Sequence, residues 1–141
     1  MGDTVTGGCL CGAVRYQVRL PVLNAGYCHC RMCQRAAGAP AVAWLTVPRT
    51  AFAFTRGDPA VFRSSPRGLR RFCGVCGTPL TFEFPEDMPP DTPGLHDIDV
   101  TVASLDTPEA VPPDHHSWTS SRIAWFDTVD RLPRHTHDYP G

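Results

Sequence analysis

Lysine is absent: all thirteen basic residues among the 141 are arginine. No side chain can therefore form a lysine Schiff base, and any carbonyl chemistry must use other groups. Also missing is an apolar run long enough to span a bilayer, so no membrane partner is expected. The opening residues "MGDTVTGGC" have neither the basic region nor the apolar stretch of a secretory signal, so a reducing, cytoplasmic setting is expected. Net charge is only −1, which supplies no field to draw in nucleic acid. Long helical patterns are lacking too. Fifteen prolines and twelve glycines are spread along the chain, which favours short strands and many turns.

An apolar content of 42% against 19% charge describes a globular chain with enough apolar surface for a core. The length fits one domain over residues 1–141. "AVRYQVRL" alternates, with Val14, Tyr16, Val18 and Leu20 on one face and Arg15, Gln17 and Arg19 on the other, which predicts a half-buried strand ended by Pro21. "NAG" at 24–26 reads as a turn, and "RMCQRAAG" as one short helix near 31–37 closed by Gly38. Further strands are predicted in "AVAWLTVP", around Phe52 and Phe54, and in the pair "AVFRSS" and "LRRFC" joined at Ser-Pro-Arg-Gly. Leu80, Phe82 and Phe84 align in another, as do Ile98, Val100 and Val102, and "RIAWF" is a last apolar piece. "PEDMPPDTPGLH" holds four prolines and reads as a long surface loop, "PEAVPPDHHSW" as irregular, and "PRHTHDYPG" as a loose tail. The expected fold is mostly β, a small domain of antiparallel sheets.

Seven cysteines fall into three clusters: Cys9 and Cys11; Cys28, Cys30 and Cys33; Cys73 and Cys76. An odd number at such tight spacing, without a secretory signal, argues for metal ligation over disulfides. Thiolates favour zinc, with an iron–sulfur cluster as the alternative. "FCGVCGTPL" aims two sulfurs at one ion, and "CLCG" supplies an equally compact pair. Together Cys9, Cys11, Cys73 and Cys76 would close a structural four-thiolate zinc, whose negative charge Arg70 and Arg71 could offset. Cys28, Cys30 and Cys33 would then hold a second ion with one position open, the feature that separates catalytic from structural zinc. His116, His29 or His96 could instead close it. Three thiolates make zinc a poor hydroxide generator but suit it to holding an incoming thiol as thiolate, so sulfur chemistry is expected over hydrolysis.

The order "GGCLCGAVRY", "CHCRMCQRAAGAP", "W-x-x-V-P", "FCGVCGTPL" and a late "D-x-L-P" resembles the glutathione-dependent formaldehyde-activating enzyme family, which also includes relatives of centromere protein V. The resemblance covers nearly the whole chain. It implies a zinc-stabilised β-tent fold and two zinc ions per chain, divided among the cysteines as above. It also implies a carbon–sulfur lyase condensing glutathione with formaldehyde, a small-molecule thiol being the partner. Glutathione's two carboxylates need cations. Arg31 and Arg35 flank the three-cysteine site, "SSPRGLRR" offers more arginines, and Trp44 could wall a pocket. The competing readings are a zinc-stabilised binding module without catalysis and a thiol-oxidation sensor.

Overall fold

Alternation around Tyr16 builds the smaller of two sheets in the computed structural model, which describes residues 3–141. Strand β2 (Arg15–Arg19) pairs antiparallel with β1 (Thr4–Gly8) on one side and, after four intervening elements, with β5 (Phe52–Arg56) on the other. Val14, Tyr16 and Val18 are buried as their spacing requires. Tyr16 keeps its hydroxyl satisfied at 2.6 Å from Ser104 Oγ, so the largest buried side chain carries no polar penalty.

The larger sheet uses β3 (Asn24–Cys28), β4 (Val42–Pro48), β6 (Ala60–Ser65), β7 (Gly68–Phe72), β8 (Pro79–Glu83), β9 (Asp97–Thr101) and the two-residue β10 (His116–Ser117). Their order is β10-β3-β4-β9-β8-β7-β6, antiparallel except where β10 runs parallel to β3. Ala25, Leu45, Val47, Ile98 and Val100 point from one face into the core shared with the small sheet. The opposite face carries Gly26, Cys28, Trp44, Thr46, Phe82, Arg70 and Asp99, as the strand registers dictate. The helix α1 (Arg31–Ala37) follows β3 directly, as expected, and Gly38 terminates it.

The structure differs from the sequence reading in three places. "NAG" is not a turn but the start of β3. Its small residues permit the strand to pass beneath His115, whose Nε2 would stand 2.2 Å from a Cβ on Gly26. The C-terminal segment is not loose. Backbone bonds join His116 to Pro133 and His135, and Trp118 to His137, while Tyr139 stacks on His115 with ring centroids 3.9 Å apart. Strand β1 was hidden because only its two threonines and Val5 carry strand character before Gly7 and Gly8.

Gly26→Ala tests this packing. The added methyl should displace the His115 ring and cost about 1–3 kcal/mol, read as a lowered denaturant midpoint with an unchanged slope. A parent-like midpoint would show that His115 is not seated on the strand.

Candidate metal centres and the adjoining cavity

Two tight turns bring the first and last cysteine pairs together. Gly12 and Gly77 follow the second cysteine of each pair and take φ of +80° and +82°, a region where a side chain would be strained. Cys9, Cys11, Cys73 and Cys76 present sulfurs that all lie within 4.8 Å of one another, with Cys9–Cys11 at 3.6 Å and Cys11–Cys73 at 3.7 Å. Thiolates about 2.3 Å from one tetrahedral ion stand about 3.8 Å apart, so this donor set fits such a metal. Among the described residues it is the one group of three or more metal-type donors so closely gathered.

Backbone amides supply the charge compensation there. Val14 N–H reaches Cys9 Sγ at 3.2 Å, and the N–H groups of Val75 and Cys76 each reach Cys73 Sγ at 3.4 Å. The Thr78 hydroxyl, 3.3 Å from Cys76 Sγ, helps hold that thiol down to about 5, which favours the thiolate a metal needs. Arg70 and Arg71, expected to assist here, are engaged elsewhere. Adjacent strand residues face opposite sides, so Arg71 pairs with Glu83 while Arg70 turns toward the other cysteines.

Those cysteines occupy the passage from β3 into α1. Cys28 ends the strand, Cys30 precedes the first helical turn and Cys33 lies buried within it. Helical spacing sets Cys30 and Cys33 on one side. The sulfurs of Cys28 and Cys33 are 3.7 Å apart. Hydrogen bonding from Cys28 and Cys33 holds the Cys30 thiol down to about 2, and the same sharing with Cys30 pushes Cys28 up. Arg70 donates toward Cys33 Sγ from both Nη atoms, at 3.6 and 3.7 Å, while its Nε holds Ser64 Oγ at 3.0 Å. Its guanidinium lies 5.0 Å from the Phe82 ring centroid and has no carboxylate partner among the described residues.

The three histidines weighed as a further ligand fare differently. His116 has both ring nitrogens committed, Nδ1 to His29 Nε2 at 2.8 Å and Nε2 to the Asp130 carboxylate at 3.0 Å. His96 is exposed beside Arg49, beyond the far end of β4, about 20 Å along the strand from the Val42–Cys28 pair. His29 is fully buried and packs with Phe126 and with His116, on which Tyr27 stacks, and its Nδ1 has no partner among the described residues. Strand alternation puts that aromatic group on the side opposite Cys28. Gln34 secures the passage by donating from Nε2 to the carbonyls of His29 and Ser121.

A cavity of about 410 Å³ opens between α1 and the large sheet, with Cys33, Trp44, Arg70 and Arg71 in its wall. Trp44 is thus half-buried at the cavity, edge-on to Phe82, whereas Arg31 and Arg35 are exposed on the outer face of the helix. Arg31 reaches only Gln34 Oε1, at 3.2 Å. Sequence reasoning missed three participants: Asp130, the orienting carboxylate of His116; Phe62 on the cavity rim; and Asp99. Asp99 accepts a 2.6 Å bond from Thr46 Oγ1, and burial pushes its carboxyl up to about 7. Only the register of β9 against β4 and β8 reveals that site.

The family described as glutathione-dependent formaldehyde-activating enzyme matches residues 4–121, which include all seven cysteines. No curated protein matches.

Two measurements check this geometry. If the four-sulfur site holds a structural zinc, Cys76→Ser should lose it and fail to fold stably, because such an ion contributes about 10–16 kcal/mol, comparable to a small domain's whole stability. A variant melting like the parent would contradict the assignment. Asp99 has a raised folded-state pKa, so its contribution is complete below pH 4 and is lost as pH climbs through about 7. Asp99→Asn should therefore gain on the order of 1–2 kcal/mol over the parent at pH 8 and little at pH 4, the full shift being discounted for a half-buried group. Equal differences at both pH values would show that Asp99 does not titrate as described.

Proposed function

Because the chain belongs to the glutathione-dependent formaldehyde-activating enzyme family, we propose that it is a zinc-dependent carbon–sulfur lyase joining glutathione, or a similar thiol, to formaldehyde or a related aldehyde. The observation that supports this most is the Cys28–Cys33 sulfur pair, 3.7 Å apart, whose Cys33 borders a cavity that also exposes Arg70, an arginine without a carboxylate partner among the described residues. In this reading the chain is one domain holding two zinc ions, a structural one on Cys9, Cys11, Cys73 and Cys76 and a catalytic one on Cys28, Cys30 and Cys33. Seven free cysteines fit a reducing cytoplasm, and among the described residues no helix is long and apolar enough to cross a membrane.

Zinc, when bound to the second set, supplies a thiol acidified enough to react as thiolate at neutral pH. The remaining steps belong to the chain. Arg70 offsets the formal charge of about −1 that three thiolates leave on a divalent ion, and it stands where negative charge develops on a carbonyl oxygen. The Phe82 ring and Ser64 hydroxyl fix its guanidinium in advance, so little reorganisation is needed at the moment of reaction. Arg31 and Arg35 meet the thiol's carboxylates on the exposed side of α1. Trp44 and the neighbouring wall exclude water and hold the reactants close.

Cys33→Ser should retain the fold and about one zinc per chain by elemental analysis, and lose catalysed adduct formation measured by NMR exchange. Arg70→Met should keep both ions yet slow the reaction about 10²-fold. Undiminished zinc in the first variant, or an undiminished rate in the second, would remove the proposal.

A further inference from the structure

The cavity beside Cys33 is larger and more apolar than its assigned small electrophile requires. Ala37, Val42, Trp44, Phe62, Phe72 and Pro79 supply half of the residues in its wall. Arg71 also borders it, but its charge is taken by Glu83. One polar group remains free to face the cavity, the Arg70 guanidinium. Thr81 also borders the space, but its Oγ1 is buried and the residue lies level with Val100 on the core side.

A cavity of about 150 Å³ lined by apolar side chains accommodates benzene. The space of about 410 Å³ here therefore has room for an aromatic ring, a short linker and the reacting carbon. Formaldehyde has no side chain and would leave the aromatic walls facing water. The body of glutathione fits no better, because its two carboxylates, ammonium and amides would meet almost no partners inside. Its charges match Arg31 and Arg35 outside, on the exposed face of α1.

Resting on the lyase reading above, we propose that the electrophile is an aldehyde with an apolar side chain of aromatic size, and that this side chain occupies the cavity. The thiolate sulfur forms a bond to the carbonyl carbon as the C=O π pair moves onto oxygen. Arg70 donates a hydrogen bond to that oxygen and offsets its charge. The proton shed by the thiol ends on the oxygen, giving a hemithioacetal with nothing oxidised or reduced. The reverse elimination uses the same groups.

The zinc-loaded protein is titrated with 2-phenylethanol, an unreactive mimic of the adduct's side chain and hydroxyl, and binding is followed by calorimetry. Ala37→Trp, which fills the cavity, should weaken binding at least about tenfold, and Phe62→Ser on the exposed strand β6 should weaken it in the same direction without risk to the core. In parallel, glutathione is mixed with phenylacetaldehyde or formaldehyde, and each rate is compared with its uncatalysed value. An acceleration about tenfold or more greater for phenylacetaldehyde supports the inference. Equal or greater acceleration of formaldehyde overturns it and leaves the lyase intact. Acceleration of neither, with 2-phenylethanol still bound in the parent and weakened in both variants, overturns the lyase and upholds the apolar site. No binding, or binding indifferent to both variants, overturns the inference whatever the rates.

Discussion

Four sulfurs tie the turn after β1 to the turn after β7, and the contact between Cys11 and Cys73 spans 62 residues. The two turns belong to different sheets, so this cluster fixes how one sheet lies on the other. Unpartnered, four converging thiols gain only weak sulfur contacts, and as thiolates they repel. An ion between them would convert that liability into a strong constraint on the fold. Closing so long a loop costs chain entropy that the small apolar core alone offsets poorly.

Strand β7 carries the consequence to the other face. It runs into Cys73 of the first cluster, and three residues earlier it bears Arg70, which points at Cys33 of the second. One strand thereby sets the position of a cation against the three-cysteine group. The sheet's two faces divide the work. Leu45, Val47, Ile98 and Val100 fill the core on one side, while Trp44, Phe82 and Arg70 line the working side. The His29–His116–Asp130 chain braces the strand-to-helix passage from beneath, and Gln34 pins it from within the helix.

Much of this was legible in the sequence, where local chemistry has few alternatives. The cysteine pairs with following glycines announced their turns, the alternation about Tyr16 announced its strand, and Gly38 marked the helix end. What stayed hidden depends on contacts made far along the chain. "NAG" looked like a turn because Gly26 is small, yet it is small to admit His115. The tail looked loose because its bonds go to a two-residue strand with no pattern of its own. Arg70 was assigned to the nearer cysteines in sequence, whereas strand alternation sends it to the more distant ones. Asp99 carried no signal, since its burial follows from the register of three strands.

The central claim is that Cys28, Cys30 and Cys33 grip an ion whose last coordination position faces the cavity. A crystal structure of the zinc-loaded protein with anomalous data at the zinc edge tests it most directly. The account predicts a second ion bound by those three sulfurs and completed by solvent or an added thiol. An imidazole or carboxylate of the chain in that fourth position, or no ion there at all, would contradict it.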